Sequence, residues 1–265
     1  MMNRHVLRGF VYPFFVWVFI SFFFIAGVYG DKPPLGIDVV QPNTIHMGSF
    51  FSGEKVTVRA VVPFGDHIAF RILGPREDLT LMRKGRVGGL WMNVQQIHFK
   101  NLPQVYLLWT SDTLVSMEAG GGTKAMKLNY LSVLSGTLET KNQEAESLVL
   151  NELIKLKEAD SLYHVFEGTV RIKPLENGVW DRAEAVLELP PKINPGTYTL
   201  ELLAFKEGKG RLLHSSVLEV KLVGFPALIS GLASRKGLLY GILAVLIATA
   251  SGLLIGIIFS SKGSH

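Results

Sequence analysis

The chain contains no cysteine. That absence excludes disulfide staples, thiolate metal sites, thiol nucleophiles and a lipoprotein anchor. The folded portion must therefore stand on its apolar core, and a segment of roughly 200 residues supplies enough surface for one or two. Two hydrolase signatures are missing as well: there is no Gly-x-Ser-x-Gly elbow and no HExxH pair. His46, His67, His98, His164 and His214 are scattered, and acidic pairs such as Glu77-Asp78 fall in turn-like stretches where solvated carboxylates are ordinary. A sandwich could gather His46, Met47, Met82 and Met92 into a soft copper site, but methionine in a sheet more often fills the core. These absences point away from an enzyme and assign no cofactor and no metal.

Charge is sparse and its balance is partly topological. The sequence has 27 Lys and Arg against 22 Asp and Glu, with a pI near 9.3. Arg4, Arg8 and Lys262 lie outside the central segment, which keeps 24 basic residues against 22 acidic ones. No electrostatic footprint for nucleic acid remains.

What is present in quantity is hydrophobicity at both ends. Residues 237–259 read GLLYGILAVLIATASGLLIGIIF, without a charge. At about 1.5 Å per residue the run covers roughly 34 Å, enough for a hydrocarbon core of about 30 Å. Lipid offers backbone groups no partner, so a lone run of this kind must be a helix. At the other end, Arg4 and Arg8 precede an apolar run over 10–28 that closes on Val28-Tyr29-Gly30. This is the layout of a secretory signal, cleaved after Gly30 or retained as a signal-anchor. The implied topology is a single-pass protein of the inner membrane, with its main domain exported to the periplasm and a cytoplasmic tail, 260–265. Arg235 and Lys236 run against the positive-inside bias, which long translocated domains commonly override.

Between these runs the pattern is mainly β. Val56, Val58, Ala60 and Val62 alternate with polar residues, and further short strands are predicted at 68–73, 79–82, 96–99 and 105–109. Residues 119–124, AGGGTK, make a break that lacks the Gly-Lys-Ser/Thr order of a phosphate loop. Thr140 and Gln143 form a capping box, and Ala145, Val149, Leu153 and Leu156 follow at helical spacing. Strands resume at 167–173 and 183–189, and 197–205 with 212–222 predict a hairpin around Glu207-Gly208-Lys209-Gly210. Pro-Gly-x-Tyr at 195–198, entering a strand, is common in immunoglobulin-like sandwiches. The expected fold is thus one of immunoglobulin-like antiparallel β-sandwich lobes with an inserted amphipathic helix and a C-terminal transmembrane helix. The expected divisions are a signal at 1–30, a first β lobe at 36–110, a flexible and helical connector at 111–162, a second β lobe at 163–224, a juxtamembrane segment at 225–236 and the span at 237–259. Phe225, Leu228, Ile229 and Leu232 make that juxtamembrane segment amphipathic, suited to the headgroup level, with Pro226 in its first turn.

Three groups of residues carry a family resemblance: Gly74-Pro75-Arg76 followed by Arg83-Lys84-Gly85-Arg86-Val87-Gly88-Gly89-Leu90-Trp91-Met92-Asn93; Leu189-Pro190 with Asn194-Pro195-Gly196-Thr197-Tyr198; and Leu239-Tyr240-Gly241. On these the chain resembles the Alph_Pro_TM family of transmembrane proteins from about residue 39 to 258. The resemblance implies no activity. It suggests a partner, because members often look like neighbours of a sulfite-exporter-type permease. The chain departs from the pattern in a longer, glycine-broken middle around 120–147.

Two sets of candidate contacts follow. Arg76, Arg83, Lys84 and Arg86 with Trp91 form the one basic cluster, suited to an anion, a lipid headgroup or acidic residues of a partner, because guanidinium forks match such oxygens. Gly237, Gly241, Ala244, Ala248, Gly252 and Gly256 form a stripe of small residues along the span, where another helix of the same protein or of a permease can approach closely. Two functions compete. One is a non-enzymatic, membrane-anchored domain that binds a protein partner, as an accessory subunit of an anion permease. The other is a periplasmic solute- or metal-binding module that delivers a ligand to a transporter. The second demands a closed pocket lined by Trp91, Trp109 or the arginines; the first demands an exposed patch.

Overall fold

In the computed structural model, the structure describes residues 35–118, 126, 128–139, 143–176 and 178–260. The signal run, the glycine break, Thr140 of the capping box and the tail after residue 260 lie outside the described residues.

The strands are β1 (Gly36–Gln41), β2 (Thr44–Met47), β3 (Glu54–Pro63), β4 (His67–Leu73), β5 (Arg76–Val87), β6 (Leu90–Pro103), β7 (Tyr106–Thr110), β8 (Tyr163–Phe166), β9 (Arg171–Pro174), β10 (Trp180–Leu189), β11 (Gly196–Lys206) and β12 (Lys209–Leu222). The helices are α1 (Leu114–Glu118), α2 (Tyr130–Leu134), α3 (Gln143–Ala159), α4 (Gly224–Arg235) and α5 (Gly237–Ser260). Three sheets form: β1-β3-β10-β9, β2-β12-β11-β4-β7-β8, and the hairpin β5-β6.

The four- and six-stranded sheets face each other across the main core. Val56, Val58, Ala60 and Val62 of β3, with Ala183, Ala185, Leu187 and Leu189 of β10, meet Phe70, Ile72, Trp109, Leu200 and Leu202 from the opposite sheet. The alternation in β3 and β10 has this cause, since only one face of their sheet is covered. The six-stranded sheet is covered on both faces. Ala69, Leu108, Leu203 and Phe205 point away from the sandwich into a second core, with Leu150, Leu153 and Ile154 of α3 and Phe99 and Leu102 of the hairpin. All five residues of β7 are accordingly buried. Tyr198 is buried, and its hydroxyl donates to the Asn194 carbonyl at 2.8 Å, the corner bond familiar from immunoglobulin-like sandwiches.

The sandwich corrects the expected division into lobes at 36–110 and 163–224. β3 pairs along its whole length with β10, β4 with β11, and β7 with β8. The two halves interleave within both sheets, so neither has a core of its own. Two edge pairs are parallel, β2 with β12 and β7 with β8, where an antiparallel arrangement was expected throughout. Of the strand expected at 167–173 only the part from Arg171 forms, as β9; β8 ends at Phe166 in the other sheet, and the chain crosses between layers around Gly168 (φ 65°).

Helix α3 covers Gln143–Ala159, the segment in which the spacing of Val149, Leu153 and Leu156 predicts a helix. Its C-terminal part is tied to the hairpin base, where Lys157 lies 3.4 Å from Glu77. Helix α5 contains the span Gly237–Phe259, with mean hydropathy 2.7 and every residue of it exposed. Such a helix is stable in contact with lipid and costly in water.

Candidate functional site

The basic cluster falls on the β5–β6 hairpin, far longer than the two short strands expected at 79–82 and 96–99. Gly88 and Gly89 close it with φ of 59° and 86°, both in the region that glycine alone enters without strain. Directly paired residues share a face of the ladder. Leu79 with Phe99 and Leu81 with Ile97 face the second core and α3. The register slips between Arg83 and Lys84, leaving Val94 as an extra residue between Gln95 and Asn93. Beyond that bulge Gly85 pairs with Met92 and Val87 with Leu90, and these continue the apolar face. A Cβ added to Gly85 would come within 2.9 Å of the Val94 side chain, which places Val94 on that face too. The opposite face carries Lys84 with Asn93 and Arg86 with Trp91.

The distal half of the hairpin thus has an apolar side and a basic, aromatic side, and neither is covered. Leu90 and Trp91 are 69% and 70% exposed, and Val87, Met92 and Val94 are exposed as well. Residues 79–99 contain no Asp or Glu, so the ladder offers Arg83, Lys84 and Arg86 no counter-charge of its own. Exposed charges of one sign beside exposed tryptophan, methionine and leucine are a poor surface to leave in water, and a common composition for a contact surface.

The structure brings Lys84, Arg86 and Trp91 together on one face, places Arg83 on the opposite face, where it lines the groove against α3, and sets Arg76 apart. Arg76 pairs with Pro103 at the hairpin base and donates from Nη1 to the Asn101 carbonyl at 2.9 Å. There it lines an open cavity of about 480 Å³ with Arg71, Lys100, Asn101 and Thr137. Two of the cations in that cavity have carboxylate partners. Arg71 lies 2.5 Å from Glu201 and also donates to the Met126 carbonyl, and Lys100 lies 2.5 Å from Glu139. The hydrogen bond to Glu139 holds the Lys100 ammonium above its ordinary pKa. Trp109 is buried in the main core and stacks on Phe166 at 5.1 Å, so it lines no pocket with Trp91.

The histidine–methionine set is not brought together. His46 and Met47 lie on β2 in the six-stranded sheet, while Met82 and Met92 lie on the hairpin, on opposite faces. Among the described residues no three His, Asp or Glu side chains converge on a metal position.

A second apolar feature, not anticipated from spacing, lies between the hairpin and α3. Leu81, Met82, Ile97, Leu148, Leu153 and Leu156 line an open groove of about 360 Å³. The spacing of α3 named Leu153 and Leu156 as core-facing; Leu153 is buried, whereas Leu156 is exposed beside this groove.

The stripe of small residues lies along α5. A Cβ added to Gly237, Gly241, Gly252 or Gly256 would meet nothing within 4 Å, so that side of the helix is open. Gly237 and Gly241 line a shallow groove with Leu238, Ile242, Val245 and Leu246.

Fold and surface together define a class: a β-sandwich carrying a protruding amphipathic hairpin and a C-terminal membrane helix. The sequence profile of the family described as "Putative transmembrane protein (Alph_Pro_TM)" matches residues 36–261, and the chain belongs to that family. No curated protein and no solved structure matches it.

Proposed function

We propose that this protein is a non-enzymatic accessory subunit of an integral membrane transporter, held by α5 and docking through the tip of the β5–β6 hairpin. The observation that carries the reading is the uncovered tip, where Trp91, Arg86 and Lys84 stand on one face and Val87, Leu90, Met92 and Val94 on the other. Tryptophan, arginine and methionine are enriched where proteins meet, and a few such residues supply most of the binding energy. The partner surface is acidic beside an apolar patch, on a permease of the sulfite-exporter type that the family resemblance suggests. The sandwich faces the periplasm after the signal is removed, and the small-residue side of α5 packs on a helix of the permease or of a second copy. A solute-delivery role has less support, because Trp109 is core and the arginine-lined cavity is open, with Arg71 and Lys100 already paired.

Affinity purification of the intact protein from its membrane, with identification of the co-purifying permease, tests the reading. Arg83→Ala with Arg86→Ala is expected to weaken that capture in a salt-dependent way while leaving folding unchanged. Capture that is indifferent to both substitutions would remove the hairpin from the account. For topology, a reporter active only in the cytoplasm is expected to fail after Lys221 and to work after His265.

A further inference from the structure

The sandwich has an end that is continuous with the membrane anchor, and its surface is unlike the rest of the domain. β2 and β12 run parallel, with Met47 opposite Leu222, so both strands finish at the same end. The Val223 amide donates to the Met47 carbonyl at 2.9 Å, fixing the start of α4 beside the turn at 48–51. In that turn Phe51 packs against the main core, but its neighbour Phe50 is 98% exposed. Helix α4 itself buries no residue, and Phe225 and Leu228 on its apolar side are 69% and 62% exposed. Lys236, at φ −138° and ψ 55°, interrupts the helix between α4 and the span, so α4 is free to leave the direction of α5.

Charge on these segments has one sign. Residues 39–53 and 220–260 contain no Asp or Glu, while Lys221, Arg235 and Lys236 lie within them; Lys221 is paired with Glu219. A helix with an apolar side and terminal cations, joined directly to a membrane span, fits the boundary between headgroups and acyl chains. Basic residues at that depth attract anionic lipid.

We propose that this end of the sandwich rests on the bilayer: Phe50 and the Phe225–Leu228 side of α4 enter the headgroup boundary together, and Arg235 and Lys236 engage anionic phospholipid. The occupant is the lipid surface, because the apolar side chains sit next to a helix that lipid already surrounds. The domain is then held flat against the membrane at two points instead of tumbling on a tether. This contact is independent of the hairpin and its partner.

The cysteine-free chain makes the test direct. Single cysteines at Phe50, Phe225 and Leu228, and as controls at Ser230 on the other side of α4 and Lys209 at the far end of β12, are spin-labelled in the full-length protein. The protein is reconstituted alone into vesicles of phosphatidylcholine and phosphatidylglycerol. Collision with dissolved oxygen reports lipid, and collision with a water-soluble nickel chelate reports solvent. Labels at 50, 225 and 228 are expected to favour oxygen over nickel, and those at 230 and 209 to favour nickel. Five solvent-like signals would overturn the proposal. So would suppression of both collisions at 50, 225 and 228, which means that protein covers the face. A lipid signal at 225 and 228 without one at 50 would overturn it too, since the sandwich would then stand clear of the surface. Because the vesicles hold no permease, none of these results bears on the hairpin.

Discussion

Trp109 and Trp91 are the same side chain in opposite circumstances. Trp109, near the end of β7, is 1% exposed, stacks on Phe166 and is enclosed by both sheets. Trp91, near the tip of the hairpin, is 70% exposed and opposite Arg86. Burial of a tryptophan is a large favourable term, so the fold is stabilised by the first and gains little from the second. A protein that leaves tryptophan, leucine and methionine uncovered at the end of a long hairpin holds a surface that its own stability does not require.

Five substitutions and a titration sharpen the contrast, the effects on stability first, from the largest down, and those on association after them. Trp109→Ala is expected to cost about 3–5 kcal/mol, read as a fall in the denaturant midpoint, because the cavity it leaves lies inside a packed core. Tyr198→Phe removes the bond to the Asn194 carbonyl from an otherwise unchanged ring, and about 1 kcal/mol should go with it.

The titration concerns the same buried hydroxyls. Burial raises the Tyr106 and Tyr198 phenols from the ordinary 10.0 to about 12 in the folded state, and raises Tyr163 and Tyr130 further. A group whose folded pKa is raised contributes stability in full below its unfolded value. That contribution is lost as pH climbs through the folded one. Stability is therefore expected to decline from about pH 10 toward 12, and Tyr106→Phe should flatten the decline in an alkaline unfolding series.

On the span, Gly252→Ile should abolish helix association, because a branched side chain holds the helices apart. Leu254→Ile, on a different side of the helix and nearly equal in volume, should leave it intact; membrane cross-linking of the two variants reads the difference.

The same contrast explains what the sequence disclosed. Periodicity reports burial, so it found β3, β10 and α3, each with one covered face and one open face. It found the span from length and composition. It stopped the hairpin strands at Met82 and resumed them at Gln96, because the strand between has no covered face to impose a rhythm. The bulge at Val94 then shifts the phase, which is why the basic cluster was legible while the apolar face of Val87, Leu90, Met92 and Val94 was not. Arg76 was grouped with Arg83 by proximity in the chain, but it sits at the other end of a twelve-residue strand. The pairing of β3 with β10 was beyond local reading altogether, since more than a hundred residues separate Pro63 from its partner Trp180. Nothing in either strand names the other.

The central claim is that the hairpin tip serves recognition and not stability, and Trp91→Ala tests it most directly. The variant and the parent are each solubilised from the membrane, unfolded thermally and compared for capture of the permease proposed as partner. The account predicts a melting temperature within about 1–2 °C of the parent, since an exposed side chain changes stability little, together with at least about a tenfold loss of capture, as for a residue at the centre of a contact. Undiminished capture, or a fall in stability comparable to that of Trp109→Ala, would contradict it.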